Sequence, residues 1–160
     1  MAENILKVTF ERLREKGLAD ARALSAQAIS GKADGTALIA AEDRIPTWRP
    51  RSYNGTDTPV GKPYKWQGQV YTLWQQHDAA GQADWSPDKA VSLWNICHTT
   101  DPTLAKVYVA PQGSRGLWQG GECCVQNGHV WKNLTDNHAY GPHEVPSGWE
   151  DLGPVSEVQA

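Results

Sequence analysis

Residues 126–131 read "QNGHVW", and sixty positions earlier residues 66–71 read "WQGQVY". In each, a polar pair ending in Gly precedes Val and an aromatic residue. Asn-Gly is a strong hairpin signal, because both central residues of a tight type I′ turn need positive φ. The two stretches predict two hairpins at the same phase of an internal repeat.

Reading outward at the offset of 60, Trp48 aligns with Tyr108, Gly61 with Gly121, Gly68 with Gly128, Val70 with Val130 and Tyr71 with Trp131. A shortening of one loop by five residues then changes the offset to 55. Trp85-Ser86-Pro87 now aligns with Tyr140-Gly141-Pro142, and Trp94-Asn95-Ile96 with Trp149-Glu150-Asp151. The expectation is a mainly β chain with a helical N-terminus and two small antiparallel three-stranded sheet modules in tandem, at 46–98 and 105–153. A tail of 154–160 follows. Modules of that size sit near the lower limit for independent folding, so large rings and mutual packing must compensate.

Ahead of Pro46 the pattern is helical. Residues 3–16 place Leu6, Phe10 and Leu13 on one stripe, with Gly17 as a C-cap. Residues 18–30 are Ala-rich and end at Gly31, and Asp34 is placed to cap a third short helix over Thr36–Asp43. Residues 1–45 read as an attachment or oligomerisation segment, because such a stripe needs a partner surface.

The 160 residues include eight Trp and five Tyr but one Phe and one Met, with a net charge of −3. Rings that bury roughly 150–250 Å² each must supply much of the core. The charge balance gives no footprint for nucleic acid or an anionic membrane. No segment reads as a transmembrane span, and the N-terminus lacks the pattern of a cleaved secretory signal. Cys97, Cys123 and Cys124 are an odd count and no disulfide framework. They read as reduced, partly buried thiols or as a Cys97 bridge to one of the pair. Cys123 and Cys124 point to opposite faces of a strand.

Trp48, Tyr71 and Trp94 read as core; Trp66, ahead of a Gly turn, fits core or surface. Trp85 differs. It lies among Gln82, Asp84, Ser86, Pro87 and Asp88, a loop composition, and loops run over surfaces. Its ring is either a lid on a small core or a platform for a ligand. An indole offers an apolar face and one N–H donor, which matches the C–H face and hydroxyl rim of a pyranose. Burying about 100 Å² there is worth about 2.5 kcal/mol, much of it offset by association entropy, so firm attachment needs several sites.

"VYTLWQQHDAAGQADWSPDKAVSLWNI" (70–96) resembles the small chitin-binding modules of carbohydrate-binding module families 5 and 12. The shared positions are Tyr71, Gln75, His77, Trp85, Pro87, Leu93 and Trp94. The resemblance implies a small twisted antiparallel sheet in which Trp85 contacts sugar and Trp94 is core. This chain departs from it in a longer loop between His77 and Trp85 and in Val91, where the family often has proline. The second copy is looser: Trp131 stands for the strand Tyr, Tyr140 for the loop Trp, and His138 is no clean substitute for His77. "DGTALIAAEDRIPTW" (34–48) leading into the module resembles small tail-associated proteins of bacteriophages and prophages.

Together these features imply a non-catalytic protein of a phage tail or tail fibre. It would be a virion component made without a signal peptide and would bind a host-surface glycan or peptidoglycan. The carbohydrate-binding residues expected are Trp85, His77, Gln75, Pro87, Asp84, Trp74 and Tyr140. The helices would contact other tail proteins or further copies of the chain. No cofactor or metal is implied: His138, His143 and Glu144 lie in a Gly/Pro loop rather than at helical metal spacing. Asp84 and Asp88 flank Trp85 without a cleft for glycoside hydrolysis. The alternative class is a structural virion component whose modules contact other tail proteins.

Overall fold

The computed structural model describes the backbone of residues 2–31 and 34–160, and their side chains from residue 9 onward. Leu6 of the expected stripe lies outside the described side chains. Helix α1 spans Ala2–Ile29 without a break, which corrects the expected C-cap at Gly17. A mid-helix Gly costs only about 1 kcal/mol relative to Ala, too little to end a helix between two strings of good helix formers. Gly31, at φ 75°, ends it instead, with the Ser30 amide still bonded to the Ala26 carbonyl.

Phe10, Leu13, Gly17, Ala21, Leu24 and Ala28 fall on one face of α1 at helical spacing. Among the described residues its C-terminal end is the part that carries a buried side chain. Leu24 is buried with Leu38, Ile39, Ile45, Val70 and Cys97, and Ala28 packs against the same cluster. Phe10 and Leu13 are 68% and 62% exposed. Asp34 caps helix α2 (Gly35–Ala40) by accepting from the Ala37 amide at 2.9 Å. The expected third helix divides at Ala41, and a 3₁₀ turn over Glu42–Arg44 follows.

Beyond Pro46 the chain is built of small sheets. Strands β1 (Ser52–Tyr53), β2 (Pro63–Trp66), β3 (Gln69–Leu73), β4 (His77–Asp78) and β5 (Trp94–Ile96) come first. They form an antiparallel β1–β4 pair and an antiparallel sheet in the order β2-β3-β5. Strands β6 (Lys106–Val107), β7 (Cys123–Gln126), β8 (His129–Asn133) and β9 (Trp149–Pro154) form a second sheet in that order. That sheet has four strands, not the expected three, and β6 runs parallel to β7. The added strand extends a bridge that is also present earlier: Thr47 pairs with Lys65 in parallel, as Val107 does with Val125. Residues 154–160 are likewise more than a tail. Val155–Val158 form a short helix, α3, and Gln159 Nε2 donates to the Pro102 and Ala105 carbonyls.

Both expected hairpins are present in matching register. Tyr64 faces Tyr71 across β2/β3, and Cys124 faces Trp131 across β7/β8. The turns carry the positive φ values that a type I′ geometry requires: Gln67 47° and Gly68 78°, Asn127 52° and Gly128 76°.

Period-two alternation gives each sheet an aromatic face and an aliphatic face. In the first sheet Tyr64, Tyr71, Leu73 and Trp94 join Trp48 and Tyr53 on one side, while Val70 meets the helices on the other. In the second, Cys124, Trp149 and Trp131 gather around Trp118. Cys123, Val130 and Leu152 meet α3 on the opposite side. The adjacent cysteines thus serve different clusters, as alternation demands, and all three thiols are free and buried. Among the described residues no helix is long and apolar enough to cross a membrane.

Candidate functional site

Trp85 ends a 3₁₀ turn, Ala83–Trp85, whose last amide bonds to the Gln82 carbonyl at 3.1 Å. Ser86 and Pro87 immediately behind it are buried. The Ser86 carbonyl accepts from the amides of Lys89 and Ala90, and its hydroxyl donates to Asp88 at 2.5 Å. This tight, buried turn fixes the backbone on which the indole stands. The indole itself is 41% exposed, half open to solvent rather than sunk into the core.

The His77 ring lies beside it, centroids 6.4 Å apart and planes at 46°. His77 is itself buried. It stacks on Tyr53 at 5.4 Å and meets Trp94 edge-on at 5.6 Å, and its Nδ1 pairs with the Gln75 carbonyl at 2.8 Å. Its position is therefore beneath Trp85, connecting the exposed ring to the core. Gln75 has an exposed side chain. Asp84 is nearly fully exposed and pairs with Lys89 at 3.4 Å.

Trp74 is 53% exposed, but one face is covered. The Arg115 guanidinium lies 4.2 Å from the ring centroid, a cation–π contact that brings in the segment after β6. Tyr140, 56% exposed, belongs to the second half. Of the seven expected residues, the fold thus groups Trp85, His77, Pro87 and Asp84 around one turn, and Gln75 joins them through its carbonyl on His77. Trp74 is turned to Arg115, and Tyr140 stands in the other half.

Two features were missed in the sequence. Arg115 gave no local signal. His138 shares two ring distances with His77 but not its geometry: it meets Trp149 at 31° where His77 meets Trp94 at 84°, and its Nδ1 pairs with the Asn133 side chain instead of a backbone carbonyl. It bridges Trp118 in antiparallel fashion as His77 pairs with Tyr53. Its ring lies 5.6 Å from Trp149, as that of His77 lies 5.6 Å from Trp94, and 6.4 Å from Tyr140, as His77 from Trp85. Backbone pairing with Trp118 brings His138 beside Trp149 and Tyr140. The signal available was its position two residues before Tyr140.

Compared with known proteins, the chain matches no family model and no curated protein.

Proposed function

We propose that this is a non-catalytic carbohydrate-binding protein built from two copies of one β module, 46–98 and 105–153, carried on the helical segment 1–45. The resemblance of residues 70–96 to carbohydrate-binding module families 5 and 12, and of 34–48 to phage tail-associated proteins, supports a role in a phage or prophage tail or tail fibre. There it recognises a host-surface glycan or peptidoglycan. The observation that carries the reading is the half-open Trp85 indole on a buried turn, braced by His77. Tyr140, exposed and 6.4 Å from the His138 ring, supplies the second contact that weak single sites require. Trp85 stacks on a sugar ring, Gln75 and Asp84 offer polar contacts, and His77 and Pro87 position the platform.

The test is retention on insoluble peptidoglycan and chitin by the native chain, Trp85→Ala and the Trp85→Ala/Tyr140→Ala pair. Binding falls with the first substitution and is lost with both. Equal retention of all three rejects the reading.

A second reading, a structural virion component, draws on the exposed Phe10 and Leu13 of α1. Under it the helix attaches to other tail proteins or to further copies of the chain, and no polysaccharide is retained.

A further inference from the structure

Asn-Gly occurs twice, at 54–55 and 127–128, and in both pairs the two residues are exposed. The carboxamide of an asparagine lies within reach of the next residue's backbone nitrogen, and a following Gly has no Cβ to obstruct the approach. The first pair is held. The Gly55 amide donates to Thr58 Oγ1 at 3.0 Å, and the Gly55 carbonyl accepts from the Thr58 amide and from Gln76 Nε2. A Cβ at Gly55 would meet Asp57 Oδ1 at 2.8 Å. The second pair is open. Among the described residues neither the Asn127 carbonyl nor the Gly128 amide makes a hydrogen bond. Apart from its chain neighbours, nothing lies within 4 Å of where a Gly128 Cβ would stand. The peptide unit at the tip of the β7–β8 turn can therefore rotate without breaking a hydrogen bond.

The second pair also has a proton carrier at hand. His143 Nδ1 lies 3.3 Å from Asn127 Nδ2. The His143 backbone amide donates to Gln126 Oε1 at 2.9 Å, which ties the imidazole to the residue before the turn. An imidazole takes up and gives up protons near neutral pH, and a positioned His speeds reactions by proton transfer. Among the described residues no imidazole bonds to Asn54, whose backbone amide donates to Ser52 Oγ at 3.4 Å. The first hairpin has no equivalent either. Gln67 stands there in place of Asn127, and its longer side chain would have to close a six-membered ring.

We propose that Asn127 is a self-modifying site, at which the carboxamide is converted to aspartate and isoaspartate with His143 delivering a proton to the departing nitrogen. The Gly128 nitrogen bonds to Asn127 Cγ and releases its proton. The Cγ–Nδ2 bond breaks, and Nδ2 takes a proton from His143 and leaves as ammonia. The proton given up by Gly128 restores His143 through solvent. Water, the one co-reactant, then opens the cyclic imide at either carbonyl. Opening at Cγ gives aspartate. Opening at the main-chain carbonyl leaves the chain running through Cγ, as isoaspartate. Aspartate keeps the turn, since Asp-Gly is also a type I′ pair, and it gives His143 a carboxylate partner. Isoaspartate adds a methylene to the main chain, and a two-residue turn cannot absorb it without disturbing the Gln126–His129 pair. Either product changes the anchorage of the loop that holds Tyr140 and His143. Neither requires a carbohydrate ligand.

The experiment is a time course of the full chain at neutral pH and physiological temperature, native and in urea, with peptide mass spectrometry that separates the amide, aspartyl and isoaspartyl forms. In the native chain Asn127 should convert about tenfold faster than Asn54, the factor that one hydrogen bond withholds. In urea the two rates should converge. His143→Ala should slow Asn127 by about tenfold or more and leave Asn54 unchanged. Should that variant unfold and release Asn54, His143→Gln gives the same reading. The proposal fails if Asn127 stays an amide, if the native chain converts both residues equally, or if loss of His143 leaves the Asn127 rate unchanged. A gap that persists in urea also overturns it, by assigning the difference to neighbouring residues rather than to the fold.

Discussion

His98 lies flat on Trp118, ring centroids 3.5 Å apart and planes 5° from parallel. His98 follows the last strand of the first sheet, and Trp118 belongs to the aromatic cluster of the second. The stack is buried, and His98 Nδ1 also pairs with Glu122 at 3.2 Å. Gly35 presses on the same residue: a Cβ there would overlap the His98 carbonyl oxygen. One residue therefore joins the helical segment through its backbone, and the first sheet to the second through its ring.

Removing either ring should destabilise the whole chain, not one half. Trp118→Ala is expected to cost about 3–5 kcal/mol, as for other buried aromatic truncations. A double-mutant cycle with His98→Ala should give a coupling of about 0.5–1.5 kcal/mol. Urea unfolding followed by tryptophan fluorescence measures both. Zero coupling, or loss of only one of two transitions, would show the halves to be independent.

Exposed and buried rings should separate cleanly in the same assay. Trp85→Ala and Tyr140→Ala are expected to shift stability by less than about 1 kcal/mol, as surface substitutions do. Trp94→Ala and Trp149→Ala, which remove buried rings, should each cost about 3–5 kcal/mol. A large cost at Trp85 would make it a lid on the core.

The fold should fail on the alkaline side. Burial pushes Tyr64 and Tyr71 up to about 12, and Tyr108 likewise, with the Glu144 charge adding to burial. The native state holds these phenols neutral, while the unfolded chain ionises them near pH 10. Their contribution is complete below pH 10 and is lost as the pH rises toward 12. Parallel titration by tyrosinate absorbance and circular dichroism should show ionisation and unfolding in one step. Independent ionisation in a folded chain would contradict it.

The three thiols should be inert until the chain unfolds. Burial raises Cys97 and Cys124 to about 12 and Cys123 to about 11, and the thiolate is the reactive form. At pH 8 a disulfide exchange reagent should modify none of them in the native chain and all three in denaturant. Fast native labelling of any one would place it at the surface.

The two hairpins were readable because the positive-φ turns at Gln67-Gly68 and Asn127-Gly128 are properties of adjacent residues. The Trp85 turn was readable for a similar reason: Ser-Pro after an indole in a polar run is a local pattern. The parallel β6 was not, since Lys106 and Val107 find their partners eighteen residues downstream, and no local signal encodes that choice. His138 and Arg115 were missed on the same ground, because their roles come from Trp118 and Trp74, distant in sequence. Gly17 misled in the opposite direction. Its local preference was real, but too weak to interrupt a long run of favourable neighbours.

The uneven burial of α1 divides the molecule by how its parts stay ordered. From Ala21 onward the helix is clamped by the body of the protein. Ahead of it Phe10 and Leu13 are exposed, and most of a helix's stability in a protein comes from packing its amphipathic face. Amide exchange there should be governed by local opening and in the sheets by global unfolding. Contact with another surface along Phe10 and Leu13 would slow exchange at that end first.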